Sequence, residues 1–336
     1  MSKVLCFGEL LLRLSPQLNC EWIRQSSMPV FVGGAELNAA TALGRWNIPV
    51  AYCTAVPDNY LSKEVVQHVQ ERNIDVSKIQ YSGNRIGTYY LPQGADLKNA
   101  GVIYDRAYSS FAELQPGQID WDTVLHDVTW FHFSAINPAL NETAVAVCKE
   151  ALEVASAKRI TISVDLNYRA KLWQYGKAPG DVMPELVQYC DVLMGNIWAA
   201  EKMLNIPVSN DLANDKNVYL EASQQSSKEI MKNFPKCKQV ANTFRFDSGD
   251  GVNYYATLFA DNKLHVSQEH HTDYIVDKVG SGDTFMAGLI YGNYHQHQPQ
   301  EIINFAAAAA FNKLFIKGDA TTASVEEIKK GYLNYA

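Results

Sequence analysis

Two glycine-rich stretches hold residue types that could do chemistry. One is Asp277-Lys278-Val279-Gly280-Ser281-Gly282-Asp283-Thr284. It follows an apolar run, Tyr274-Ile275-Val276, that predicts a strand, and precedes Phe285, Ala287, Gly288 and Leu289, which have helical spacing. A glycine-rich turn at a helix N-terminus leaves several backbone N–H groups without acceptors. With the positive end of the helix dipole they form an anion site. Asp283 stands inside that turn, where a carboxylate repels the anion the turn attracts, unless it is there to take a proton. A base beside an anion hole is what phosphoryl transfer to a hydroxyl group requires. The simpler reading of the same residues is a helix N-cap, with Asp283 accepting a backbone N–H.

The second stretch is Val32-Gly33-Gly34-Ala35-Glu36-Leu37-Asn38, followed by a helix of small residues that ends near Asn47-Ile48-Pro49. Paired glycines let the backbone approach a ligand closely, and Asn38 in the first turn could donate to a sugar hydroxyl. An ordinary strand–turn–helix joint has the same composition. A third cluster, Asp165-Leu166-Asn167-Tyr168-Arg169, runs out of a buried strand over residues 160–165. Polar residues just past the carboxyl end of a strand are where open parallel sheets bind ligands.

The elements that must position these residues alternate. A strand over 4–8 is followed by extended chain over 10–15, the Gly33–Asn38 helix, a strand over 50–55 and an amphipathic helix over 61–72. That rhythm predicts a parallel sheet with crossover helices. It is interrupted by tyrosine-rich extended runs at 86–91 and 101–108. Together with residues 10–32 these predict a small antiparallel sheet standing off the main one, either as a lid, as a surface hairpin or as a contact between copies. The rhythm resumes with strands at 130–134, 160–165 and 191–194 and helices at 142–157 and 199–204. Residues 205–228 read as loop and surface helix, and strands at 239–244, 252–259 and 263–267 lead back to the Asp277 stretch. The helix over 299–316 carries five alanines in a row (306–310), which suit either tight packing or a flat pocket for an adenine. No repeat and no sign of a second domain interrupt the 336 residues.

Composition narrows the class. With 47% hydrophobic and 19% charged residues the chain has ample material for a core. Its longest apolar runs are far too short to span a membrane. Net charge is −7 with no block of Lys or Arg, which argues against nucleic acid as the main partner. Any attraction for phosphates or sugar acids must then come from a few local cations and N–H groups. The N-terminus does not read as a secretory signal, and six scattered cysteines (6, 20, 53, 148, 190, 237) without metal spacing predict buried thiols in a cytoplasmic protein.

With both glycine motifs placed in order, the chain resembles the ribokinase-like (PfkB) family of carbohydrate kinases over nearly its full length. Gly33-Gly34…Asn38 is similar to that family's sugar-binding motif. Asp277–Asp283 is similar to its D-T-x-G-A-G-D signature, with Lys278 for Thr and Ser281 for Ala. Gly8-Glu9…Arg13-Leu14-Ser15-Pro16, Tyr104-Asp105-Arg106 and Asp165-x-Asn167-x-Arg169-x-x-Leu172-Trp173 resemble the 2-keto-3-deoxygluconate kinase branch. The resemblance implies an α/β fold, a ribokinase-like doubly wound α/β sandwich, with a small inserted β-sheet lid built from about 10–32 and 85–108.

It also implies ATP and Mg²⁺ as cofactors, with Asp283 as base and the N–H groups of Gly280, Ser281 and Gly282 holding the transferred charge. The sugar acid would lie on Gly33, Gly34, Asn38, Tyr89, Tyr104, Arg106, Asn167 and Arg169, the two arginines gripping its carboxylate. The nucleotide would lie on Asn196, Thr243, Arg245, Gly280, Gly282 and Asn312. Lids of this family often pair, which implies a homodimer. A neutral-sugar kinase (fructose or ribose) and a non-catalytic sugar sensor on the same fold are the alternatives. Two departures stand out. The family's N-x-x-E, whose Glu organises water around the metal, reads Asn196-Ile197-Trp198-Ala199 here, and its T-x-G reads Thr243-Phe244-Arg245.

Overall fold

The computed structural model describes residues 2–17, 22–24, 27–93, 101–208, 215–249 and 251–333. Cys20 and parts of the two lid excursions fall outside these. The chain opens with β1 (Lys3–Phe7), then β2 (Leu11–Leu14) and β3 (Val30–Gly33), with a 3-10 turn at Trp22–Arg24 between them. α1 (Ala35–Arg45), β4 (Val50–Cys53), β5 (Ala55–Val56), α2 (Tyr60–Gln70), β6 (Ile74–Asp75) and β7 (Gln80–Tyr81) follow. β8 (Gly87–Tyr90) and β9 (Ile103–Asp105) come next, then α3 (Trp121–Val124), β10 (Val128–Ser134), α4 (Glu142–Ala157), β11 (Thr161–Asp165), α5 (Pro179–Val187), β12 (Val192–Gly195) and α6 (Ile197–Leu204). The last part holds α7 (Lys216–Asn233), β13 (Gln239–Ser248), β14 (Gly251–Ala260), β15 (Lys263–Val266), β16 (His270–Thr272), α8 (Ser281–Tyr294), α9 (Pro299–Lys313) and α10 (Val325–Leu333).

The main sheet runs β6-β4-β1-β10-β11-β12-β13-β14-β15, with β16 also paired to β14. Pairing is parallel from β6 to β13 and antiparallel beyond it. Both faces are covered, and β1 shows why its sequence is apolar throughout. Leu5 and Phe7 join one buried cluster with Phe131, Phe133 and helices α3 to α6, while Val4 and Cys6 join another with α1, α8 and α9. Phe7 packs edge-on to Trp121 at 5.1 Å between ring centres. The alanine run 306–310 is buried, and a Cβ on Gly288 would come within 2.6 Å of the Ala306 Cα, so α8 and α9 pack backbone to backbone. The five described cysteines are buried free thiols.

The chain leaves β1 for β4 on one side and returns to β10 on the other, so the order reverses beside β1. Crevices open at the carboxyl ends of strands at such a point. Over that end lies a four-stranded sheet, β3-β2-β8-β9. Its pairing corrects the expectation of an antiparallel sheet, because β2 and β8 run parallel. The physical cause is topology: the chain traverses α1, β4 and α2 between them, so β8 re-enters in the direction of β2. Residues 274–276 are not a strand either. Val276 and Asp277 donate their N–H groups to Leu314 O at the end of α9 rather than to a sheet neighbour.

Candidate active site

The two glycine motifs meet at this crevice. Gly34 is the N-cap of α1 at φ 131°, a conformation open to glycine, and a Cβ there would fall 2.3 Å from Glu9 O. Gly33 serves a different contact. It lies outside the crevice wall, and its missing Cβ leaves room for the Asp319 carboxylate, whose Oδ2 would be 2.4 Å away. Gly280 caps α8 at φ 79°. Ser281 Oγ donates to Ala310 O at 2.9 Å and Thr284 Oγ1 to Gly280 O at 2.8 Å, which holds the turn closed. A Cβ on Gly282 would meet only the Met194 Cε, 3.9 Å away, so the turn opens toward the crevice. The first N–H groups of α8, which have no acceptor within the helix, therefore line open space.

Asp283, half-buried in the first turn of α8, accepts a hydrogen bond from Asn38 Nδ2 at 2.7 Å. Burial pushes its carboxyl up to about 7, reinforced by nearby Asp165 and offset by the Asn38 amide. Asp165, at the carboxyl end of β11, is likewise pushed up to about 7 by burial, with the Arg169 charge working against it. Beneath them Glu36, fully buried, accepts from Ser134 N, Ser134 Oγ and Asn137 Nδ2 on one oxygen, while its other oxygen has no partner among the described residues. Desolvation raises it to about 7 as well. Three carboxyls that titrate near neutrality thus stack at one end of the sheet.

The crevice holds about 680 Å³ and is walled by Gly34, Asn38, Tyr89, Tyr104, Arg106, Asn167, Arg169, Asn196, Thr243, Arg245, Gly280, Ser281, Gly282 and Asp283, among others. Most residues singled out from the sequence therefore share one space. Asn312 does not; it lines a separate hollow with His270, Phe311 and Phe315, because its position on α9 faces β16 and α10. Among the described residues six cations wall the crevice (Arg106, Arg169, Lys171, Lys202, Arg245, Lys278) against two carboxylates, Asp165 and Asp283, with Arg106 paired to Glu9 and Lys278 to Asp247. The local sign is opposite to that of the whole chain.

At the lid end, Arg106 is fully buried with its Nε 2.5 Å from Glu9 Oε2, and Ser109 Oγ holds the other Glu9 oxygen. Its Nη1 is buried without a partner among the described residues, as is the Arg169 Nε. Tyr89 donates to Asp319 Oδ2 at 2.9 Å, so its hydroxyl is already engaged while its ring packs beside Tyr104. Toward β12 and β13, Asn196 caps α6 by accepting from Ala199 N. Glu201 lies off the crevice and Lys202 on it. Among the described residues no group of three or more His, Cys, Asp or Glu could cage a metal. A magnesium ion carried on phosphates and mostly hydrated fits these walls, and a protein-held one does not.

Sequence reasoning quoted Glu9 and Arg13 within a matching stretch without giving them a role, and passed over Lys313 and Asp319. Each is buried and charged and has a partner distant in sequence (Glu9 with Arg106, Arg13 with Asp277, Asp319 with Tyr89, Lys313 with Asp277 O besides the nearby Ile316 O), so spacing carried no signal for their roles.

Known proteins can be set beside this geometry. The family model of pfkB family carbohydrate kinases matches residues 1–324. The crystal structure of 2-dehydro-3-deoxygluconokinase from Thermotoga maritima is 36% identical, covers 98% of this chain and 99% of its own, and superposes with a TM-score of 0.89. The 2-dehydro-3-deoxygalactonokinase of Haloferax volcanii is 27% identical over 98% of this chain and 96% of its own. A putative 2-keto-3-deoxygluconate kinase from Enterococcus faecalis, 21% identical with a TM-score of 0.86, shares the fold. With that family model matching residues 1–324, nearly the whole chain, the chain belongs to the pfkB family of carbohydrate kinases.

Proposed function

We propose that the protein transfers the γ-phosphoryl group of ATP to the terminal hydroxyl of 2-keto-3-deoxygluconate, giving the 6-phosphate. One observation carries the reading: Asp283, with its carboxyl near 7, stands in the first turn of α8 beside Gly280-Ser281-Gly282, inside a crevice walled by six cations. Asp283 takes the proton of the sugar hydroxyl as its oxygen attacks the γ-phosphorus. The new O–P bond forms, the bond to the bridging oxygen breaks, and ADP leaves. The N–H groups of the turn hold the charge that builds on the transferred group. Lys202, Arg245 and Lys278 lie where a triphosphate would pass, and Mg²⁺ carried on it would neutralise charge between its phosphates.

The sugar acid lies between Asn38 and the lid. Arg169 and the open Nη1 of Arg106 face its carboxylate, and Asn38 and Asn167 face its hydroxyls. Two relatives act, by name, on acids differing in stereochemistry, and both grips suit either. The lid excludes water, which otherwise competes as acceptor. The face of the lid opposite Leu11, Arg13 and Tyr89 carries Leu12, Leu14, Val30, Val32, Thr88, Tyr90, Ile103 and Asp105 in register, with Leu12 and Val32 partly packed on the core and Val30 and Ile103 about half exposed. Such a face is suited to pair with a second copy, and we place the protein in the cytoplasm as a homodimer.

A coupled ADP-release assay with Mg·ATP tests the substrate, running 2-keto-3-deoxygluconate and 2-keto-3-deoxygalactonate beside fructose and ribose. Turnover with the acids alone is expected. Equal turnover with a neutral sugar would discard the carboxylate grip.

A further inference from the structure

Behind the anion turn, on the side away from the crevice, lies a lysine that the reaction as described leaves unused. Lys313, the last residue of α9, is fully buried. Its Nζ donates to Ile316 O at 2.8 Å and lies 3.5 Å from Asp277 O. A Cβ on Gly280 would sit 3.5 Å from Lys313 Cε, so the side chain runs directly under the turn. Four charges share this pocket. Arg13 from β2 pairs with Asp277 at 2.9 Å and with Asp319 at 2.8 Å, and Asp277 and Asp319 both act on Lys313. Tyr89 of the lid donates to Asp319, and Asp283 faces the group from α8.

Burying an ammonium has a large desolvation cost, and an apolar side chain of similar length would fill the space at less. With Lys313 present, two cations balance two carboxylates. Without it, a net negative charge would lie directly beneath N–H groups that must hold a phosphoryl group.

We propose that Lys313 is a positioning residue for phosphoryl transfer: its ammonium bridges the carbonyls of Asp277 and Ile316, fixes the Gly280–Gly282 turn, and supplies the positive charge behind it. The site is a cation seat lined by carbonyl oxygens, occupied by the protein's own side chain. The inference rests on the phosphoryl-transfer reading above.

Burial lowers the Lys313 ammonium from its usual range to about 8, against the pull of Asp277 and Asp319. In the unaltered protein, kcat/KM for ATP should therefore fall as pH rises past about 8. Lys313→Met keeps the volume and removes the charge; Lys313→Ala leaves a hole. Both should lower kcat by about 100-fold or more, the scale of a lost anion-hole donor, with the sugar KM within about threefold of the parent. Added methylammonium should restore activity to Lys313→Ala severalfold and leave Lys313→Met unmoved. Binding of Mg·AMP-PNP, followed by calorimetry, needs no acceptor and should weaken in both variants.

A Lys313→Met protein with parental kcat and parental AMP-PNP affinity would overturn the proposal. So would a parent whose kcat/KM for ATP stays flat well above pH 8, a result that stands even where the variants do not fold. A parent that phosphorylates no sugar acid would sink the substrate reading instead, and the AMP-PNP comparison would still decide the role of Lys313.

Discussion

Asn38 Nδ2 lies 2.7 Å from Asp283 Oδ2, a hydrogen bond between residues 245 positions apart that ties one glycine motif to the other. The amide both aims the carboxylate into the crevice and stabilises its ionised form. As a base, Asp283 works deprotonated, so kcat/KM should rise with pH up to about 7 and level off above it, before any alkaline fall. In Asn38→Ala the supporting donor is gone, and the acid limb should move to higher pH. An unmoved limb would mean that Asp283 is not the group being titrated. Asp283→Asn should bind sugar and nucleotide while losing about 10³-fold in kcat, within the usual range for a general base.

Arg169 presents a buried Nε without a partner among the described residues, beside Asp165. Arg169→Ala should raise the KM for the sugar acid by about 10–100-fold, as expected for a lost charge-assisted hydrogen bond. Binding of a neutral analogue should change little. Equal losses for acid and neutral ligands, measured by calorimetry, would assign Arg169 to holding Asp165 instead.

Glu36 offers a stability test with a definite sign. Its carboxyl sits at about 7 in the folded protein against an ordinary 4.5. Between those values the folded state keeps a proton that the unfolded chain has released, so stability falls as pH rises from about 4.5 to about 7. The shift corresponds to about 3 kcal/mol at the upper end. Glu36→Gln cannot titrate, and its loss of stability between pH 5 and 7.5, from urea unfolding, should be smaller than the parent's by about that amount. Parallel curves for both proteins would contradict the assignment.

Gly288 lies against Ala306 at backbone distance. Gly288→Val should force α8 and α9 apart and destabilise the protein by about 1–3 kcal/mol, the cost of overpacking a close joint. A melting temperature equal to the parent's would show that the α8–α9 contact yields more easily than this packing implies.

Much of the molecule was decided by local chemistry that the sequence spells out. The α4 bounds, Glu142–Ala157, agree with the sequence expectation because Asn141 accepts from Ala144 N and starts the helix within a few residues. The glycine turns at 34 and 280 needed a residue free to take positive φ, and the apolar run of β1 needed burial on both faces. Those are short-range or compositional demands, visible in any linear reading, and together with the two motifs they were enough to point to the fold and the kind of reaction.

What depends on contacts across the chain emerged only on folding. Arg106 meets Glu9, Arg13 meets Asp277 and Asp319, and Lys313 bridges the carbonyls of Asp277 and Ile316 beneath the turn. Whether β2 and β8 run parallel depends on the path taken between them, and whether 274–276 forms a strand depends on α9 offering Leu314 O first. A buried charge is stable only beside its partner, and no spacing rule says which distant residue that partner will be. The sequence by itself determined the turns, the motifs and the alternation of elements; the tertiary structure decided which charges were buried together, and so where the crevice is positive.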